Sequence, residues 1–200
     1  MRHLVAAFAG AVVLFLWGFL AYAVLDVWKF AYPSTNSDAT ILESLDTGLS
    51  TDGAYFLPSM PDTFMTETTD PEALAANKAF EERLGKGPVA LVLFRKQGME
   101  PMAASELIRG FIIEFGAALL LTCLMSASKG GTGGRIFFGS TIALFAALAT
   151  WGVAGNFFHL PLAFMYANMA DVVIGGTFCA TAIALVLGRG RAKDALPSAA

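Results

Sequence analysis

Charge is scarce in this 200-residue chain. Asp, Glu, Lys and Arg make up 14% of it, where soluble domains carry about 25%. With 56% hydrophobic residues and a mean hydropathy of +0.62, this shortage excludes a simple soluble globule. Cysteine is limited to Cys123 and Cys179. A disulfide framework is therefore not expected, and the two thiols read as small packing residues. No basic cluster interrupts the polar part of the chain, which excludes a nucleic-acid partner. There is no nucleophile–base arrangement, paired general acid and base, or cofactor fingerprint, so neither an enzyme nor a cofactor is expected. The segment Lys129-Gly130-Gly131-Thr132-Gly133-Gly134 matches a phosphate loop only in glycine content. It lacks the Walker lysine followed by Ser or Thr and the preceding strand, and reads as a flexible connection.

The charges that are present are unevenly placed. Of 29, 19 lie between Asp26 and Glu106. Residues 4–25 carry no charge and as a helix would be about 33 Å long, enough to cross a bilayer. A second span is expected from about Leu107 to Met125, interrupted by Arg109 and Glu114. Residues 136–170 lack Asp, Glu, Lys and Arg entirely. One helix of that length would reach about 52 Å, so the run must fold back. Pro161 places the break at 156–161, leaving spans near 136–157 and 164–188.

Orientation follows from the basic residues, which accumulate on the cytoplasmic side. Arg2, Lys129, Arg135, Arg189, Arg191 and Lys193 all fall on one side of a four-span arrangement. The other side receives residues 26–106, with six basic and thirteen acidic side chains, net −7. Both termini are expected inside and the acidic insert outside. Arg2, the apolar stretch and Ala21-Tyr22-Ala23 also imitate a secretory signal. The stretch exceeds the usual ~7–15 residues, and Trp28 and Tyr32 suit an interfacial belt, so retention as a span is expected.

Within the insert, Ser37 or Asp38 can cap a short helix through Asp46, and Ala54–Leu57 reads as a strand ended by Pro58. Asp70-Pro71-Glu72 opens a second helix that Gly85 closes. Val89–Phe94 is the best strand signal in the chain, expected to pair with the first. Such a domain is small and lacks cysteine, so it is expected to lean on the membrane helices or on a partner chain. The expected architecture is a mainly α membrane protein of four transmembrane helices with a small α+β extracytoplasmic domain between spans one and two. Its parts are an N-terminal transmembrane helix (1–28), the extracytoplasmic domain (29–105), a three-helix transmembrane region (106–190) and a cytoplasmic tail (191–200).

Chemistry concentrates near the outer side of the spans. Helical rise counted from Lys129 puts Glu114 at about 22 Å, some 8 Å below the outer edge of a ~30 Å core. Counted likewise from Arg189, Asp171 lies at about 27 Å, and counted from Arg135, Asn156 lies at about 31 Å and His159 at about 36 Å. Asn168 and Arg109 belong to the same level. Glu114, His159 and Asp171 could form a proton relay or a carboxylate–histidine metal site oriented by Arg109, Asn156 and Asn168. The competing reading is interfacial polarity with one stabilising pair. It is favoured, because scattered carboxylates and one histidine lack metal-motif spacing, and no resident metal is expected. Arg109 and Glu114 lie about 140° apart around a helix and do not share a face. Small residues recur every four positions at Gly139, Ala143 and Ala147 and at Gly176, Ala180, Ala184 and Gly188, predicting close helix contacts either between spans three and four, the favoured option, or between subunits.

Trp17-Gly18-Phe19-Leu20, Gly53-Ala54-Tyr55-Phe56-Leu57-Pro58-Ser59-Met60-Pro61 and the methionines at 99 and 102 carry a resemblance to a group of uncharacterised bacterial four-span membrane proteins with an insert after the first helix. The resemblance covers most of the chain. It implies topology and a bacterial inner membrane, and assigns no functional residue. The expected role is a non-catalytic accessory or scaffold protein embedded in the lipid bilayer, its outer domain contacting an envelope or membrane-complex partner. The alternative is a small proton- or metal-handling transporter using the Glu114 cluster.

Overall fold

A computed structural model describes residues 1–128 and 130–194, with the side chains of Trp28 and of residues 189–194 outside that description. Lys129 and the tail from 195, on which part of the orientation and tail expectations rests, therefore lie outside the described residues, as do the side chains of Arg189, Arg191 and Lys193. The elements are α1 (Arg2–Phe19), α2 (Val27–Ala31), α3 (Asp38–Gly48), β1 (Gly53–Leu57), α4 (Pro71–Lys86), β2 (Ala90–Phe94), α5 (Ala104–Ala127), α6 (Thr132–Ala147), α7 (Val153–Phe157) and α8 (Leu162–Asp194). π-Helical turns at Leu20–Val24 and Leu148–Gly152 continue α1 and join α6 to α7. The chain forms two compact units, Met1–Ser34 with Pro101–Ala200, and Thr35–Glu100.

Among the described residues, four helices are long and apolar enough to cross a membrane: Arg2–Val24, Ala104–Ala127, Thr132–Phe157 and Leu162–Gly188. The fold-back falls where Pro161 places it, since α7 ends at Phe157 and α8 begins at Leu162. His159 in that turn adopts φ 51°, a left-handed conformation in which histidine is over-represented.

The spans pack on small side chains. α8 lies along both α6 and α1, and α1 lies along α5. The core is largely alanine, with Ala6, Ala11, Ala118, Ala180 and Ala184 all fully buried. The bulky apolar side chains Phe137, Phe145, Ile112 and Ile113 point outward. In lipid there is no hydrophobic gain from burying large groups between helices, so close van der Waals approach decides the seam. The repeats at four-residue spacing interlock as expected. A Cβ on Gly139 would lie 2.5 Å from the Cβ of Ala180, and one on Gly176 would lie 2.5 Å from that of Ala143.

The Thr35–Glu100 unit contains the expected helix–strand–helix–strand order. β1 and β2 pair antiparallel, Gly53 opposite Phe94 through Leu57 opposite Ala90. The Asp70 side chain accepts a hydrogen bond from the Glu72 amide at 3.2 Å, capping α4 with Pro71 at its first position. Phe80 packs edge-on against Phe64, their ring centroids 4.8 Å apart. Thr63 binds Asn77 on the same face of α4. Leu74, on the same helix, stays half exposed.

Gly139→Ala and Gly176→Ala are each expected to destabilise the protein by about 1–3 kcal/mol through overpacking of the seam. Gly116→Ala, where a Cβ meets nothing within 4 Å, is expected to be neutral or stabilising. Thermal unfolding in detergent or nanodiscs reads the difference; equal behaviour of the three variants would contradict the seam.

Candidate functional site

The four spans line a cavity of about 600 Å³, within the range of small-molecule sites. The small residues of the seam help create it. Gly139, Ala143 and Ala146 from the third span and Gly175 and Gly176 from α8 border the space, and their side chains are too short to fill it. α5 contributes Leu120, Leu121 and Leu124, and α1 contributes Leu14. The walls are thus mainly apolar, with four polar or amphipathic groups on them: Trp17, Tyr22, Glu114 and Asp171.

Asp171 is held in place. The Trp17 indole Nε1 donates to its Oδ1 at 2.9 Å, tying α1 to α8. Gly175, one turn along α8, makes room for that indole; a Cβ there would come within 2.8 Å of the ring. Phe178 meets the same ring edge-on with centroids 5.4 Å apart. Tyr22 sits in the π-helical turn that ends the first span. A π turn adds a residue to the helical ring and re-aims the side chains after it, and such turns recur at functional sites.

Glu114 is half buried on α5, and its Oε2 is enclosed without a hydrogen-bond partner among the described residues. Arg109 does not serve it. The Arg109 guanidinium pairs with Glu106 at 3.3 Å, one turn away on an exposed face, as the helical geometry requires. Asn168 is buried, but its Nδ2 donates to the Phe164 carbonyl of its own helix at 2.8 Å. Asn156 and His159 are exposed at the end of the third span and in the following turn.

Of the six residues singled out from the sequence, Glu114 and Asp171 therefore share the cavity, and Arg109, Asn156, His159 and Asn168 do not line it. Among the described residues no three His, Cys, Asp or Glu side chains are grouped to hold a metal ion. Sequence reasoning missed Trp17 as the partner of Asp171. The two are 154 residues apart, and no local spacing could join them.

Fold and cavity together define the class: a multi-pass helical membrane protein with a carboxylate-bearing cavity between its spans. No family model, curated protein or solved structure matches the chain.

A carboxylate oxygen enclosed without a partner costs about 1–3 kcal/mol. Glu114→Leu is accordingly expected to raise the thermal midpoint of the purified protein. A lowered midpoint would mean that Glu114 contributes to the stability of the bundle.

Proposed function

We propose that the protein is a non-catalytic accessory of the bacterial inner membrane whose Thr35–Glu100 unit, on the extracytoplasmic side, docks onto a protein of a larger membrane complex. The observation that carries this reading is the uncovered face of its two-stranded sheet. Val89, Leu91 and Leu93 follow one another along that face, and Leu93 is 79% exposed. α3 buries no residue, and Pro58 and Phe80 are the buried side chains of the unit among the described residues. A two-stranded sheet is marginal by itself and both its edges are free to pair. The acidic balance of the insert, net −7 over residues 26–106, favours a partner whose apolar surface is rimmed by basic groups.

Leu93→Glu places a charge at the most exposed position of that face. It is expected to abolish co-purification of the partner from gently solubilised membranes while leaving membrane insertion intact. Photo-crosslinking from position 93 should capture the same chain, and crosslinking from Glu81 on α4 should not. A protein that is monomeric and partner-free in native membranes would overturn the reading.

The cavity supports a second reading, a small carrier of protons or cations that uses Glu114 and Asp171. Their placement on one cavity is the observation in its favour, because carboxylates within membrane spans normally face such spaces. Proton-driven cation flux in proteoliposomes would then be lost in Glu114→Gln. Absence of flux with the unaltered protein would remove this reading.

A further inference from the structure

The opposite end of the spans carries a second, chemically distinct pocket. It measures about 130 Å³ and is lined by Arg2, His3, Ser126, Arg135 and Leu187. Three helix ends, the starts of α1 and α6 and the last turn of α5, meet there beside α8 at Leu187, about two turns before that helix ends. Arg135, in the first turn of α6, is only 6% exposed, yet its Nε has no hydrogen-bond partner and its guanidinium makes no ion pair among the described residues. Arginine cannot relieve this by losing its proton. A buried guanidinium needs a counter-charge, and among the described residues no acidic side chain lines the pocket to provide one.

The surrounding groups point to an anion. Arg2 and His3 stand at the exposed mouth. Ser126 donates its hydroxyl to the Thr122 carbonyl at 2.7 Å, so it adds no free donor. The first turns of α1 and α6 have no side-chain cap, which leaves backbone N–H groups and the positive ends of two helix dipoles at this end of the bundle. Leu187 closes the apolar side. The volume suits one tetrahedral oxyanion group, with the rest of the molecule outside.

We infer that this pocket binds a phosphate oxyanion, held by the buried Arg135 fork with Arg2 at its mouth. Basic pockets between spans are suited to anionic lipid headgroups on the cytoplasmic side. A soluble phosphate offers the same chemistry, and the test separates the two sources.

The full-length protein is purified in zwitterionic detergent and examined by thermal shift and native mass spectrometry, with phosphatidylglycerol, phosphatidylcholine or inorganic phosphate added. Retention of phosphatidylglycerol over phosphatidylcholine, with a raised midpoint, assigns the site to a lipid headgroup. A raised midpoint with inorganic phosphate alone assigns it to a soluble phosphate. Arg135→Gln and Arg2→Gln should each weaken binding by about tenfold, the loss of one charge-assisted hydrogen bond. Arg135→Lys should recover part of it, because it keeps the charge without the fork. Lys78→Gln, on α4 of the other unit, controls for net charge and should change nothing. Should Arg135→Gln fail to fold, Arg2→Gln and Arg135→Lys still decide. No stabilisation by any of the three additives, or binding that falls equally in Lys78→Gln, overturns the proposal.

Discussion

The helical unit depends on the close approach of α8 to α6 and α1. Gly139 against Ala180 and Ala143 against Gly176 bring two backbones together where any larger side chain would hold them apart. On the other flank, Gly10 lies against Cys179 and Ile183. In a bilayer the outward-facing Phe and Leu side chains lose nothing by meeting lipid, so the interior is left to alanine and glycine. The same constraint produces the cavity, because small residues that allow contact at one level leave room beside α5, which touches α6 only lightly.

Polar groups divide between the two ends of this arrangement. Carboxylates, an indole and a phenol line the larger space, whereas arginines and a histidine line the smaller one. Neither set neutralises the other. Among the described residues, Glu114 and Arg135 each keep an enclosed polar atom without a hydrogen-bond partner. Enclosed polar atoms without partners are costly, which is why both positions stand out among the described residues of the bundle.

Much of the fold was legible in the sequence because it follows from local rules. Pro161 marks the fold-back, Asp70-Pro71 marks the start of α4, and the four-residue spacing of small residues marks the α6–α8 seam. The paired strands were readable from β-branched and aromatic runs bounded by proline and glycine. The two π-helical turns were not, since nothing in the composition of Leu20–Val24 or Leu148–Gly152 departs from an ordinary apolar helix. The site was half legible. Helical rise put Glu114 and Asp171 at neighbouring depths, but depth does not say which way a side chain faces. His159 sits in a turn and so lies exposed beyond the helix ends, and Arg109 finds Glu106 within its own helix. Arg135 carried a topological signal, and its burial arises only from where the first turn of α6 meets α1, α5 and α8.

The arrangement of the helices also constrains how the protein is built. α1 and α5 contact each other directly and can pair as soon as both are in the membrane. α6 meets little of either and finds its main surface only on α8, the last of the four spans to be synthesised. The third span must therefore wait in the membrane as a glycine-rich helix without its partner. During that interval the completed pair exposes the wall of the unfinished cavity, Glu114 included, to whatever else occupies the bilayer.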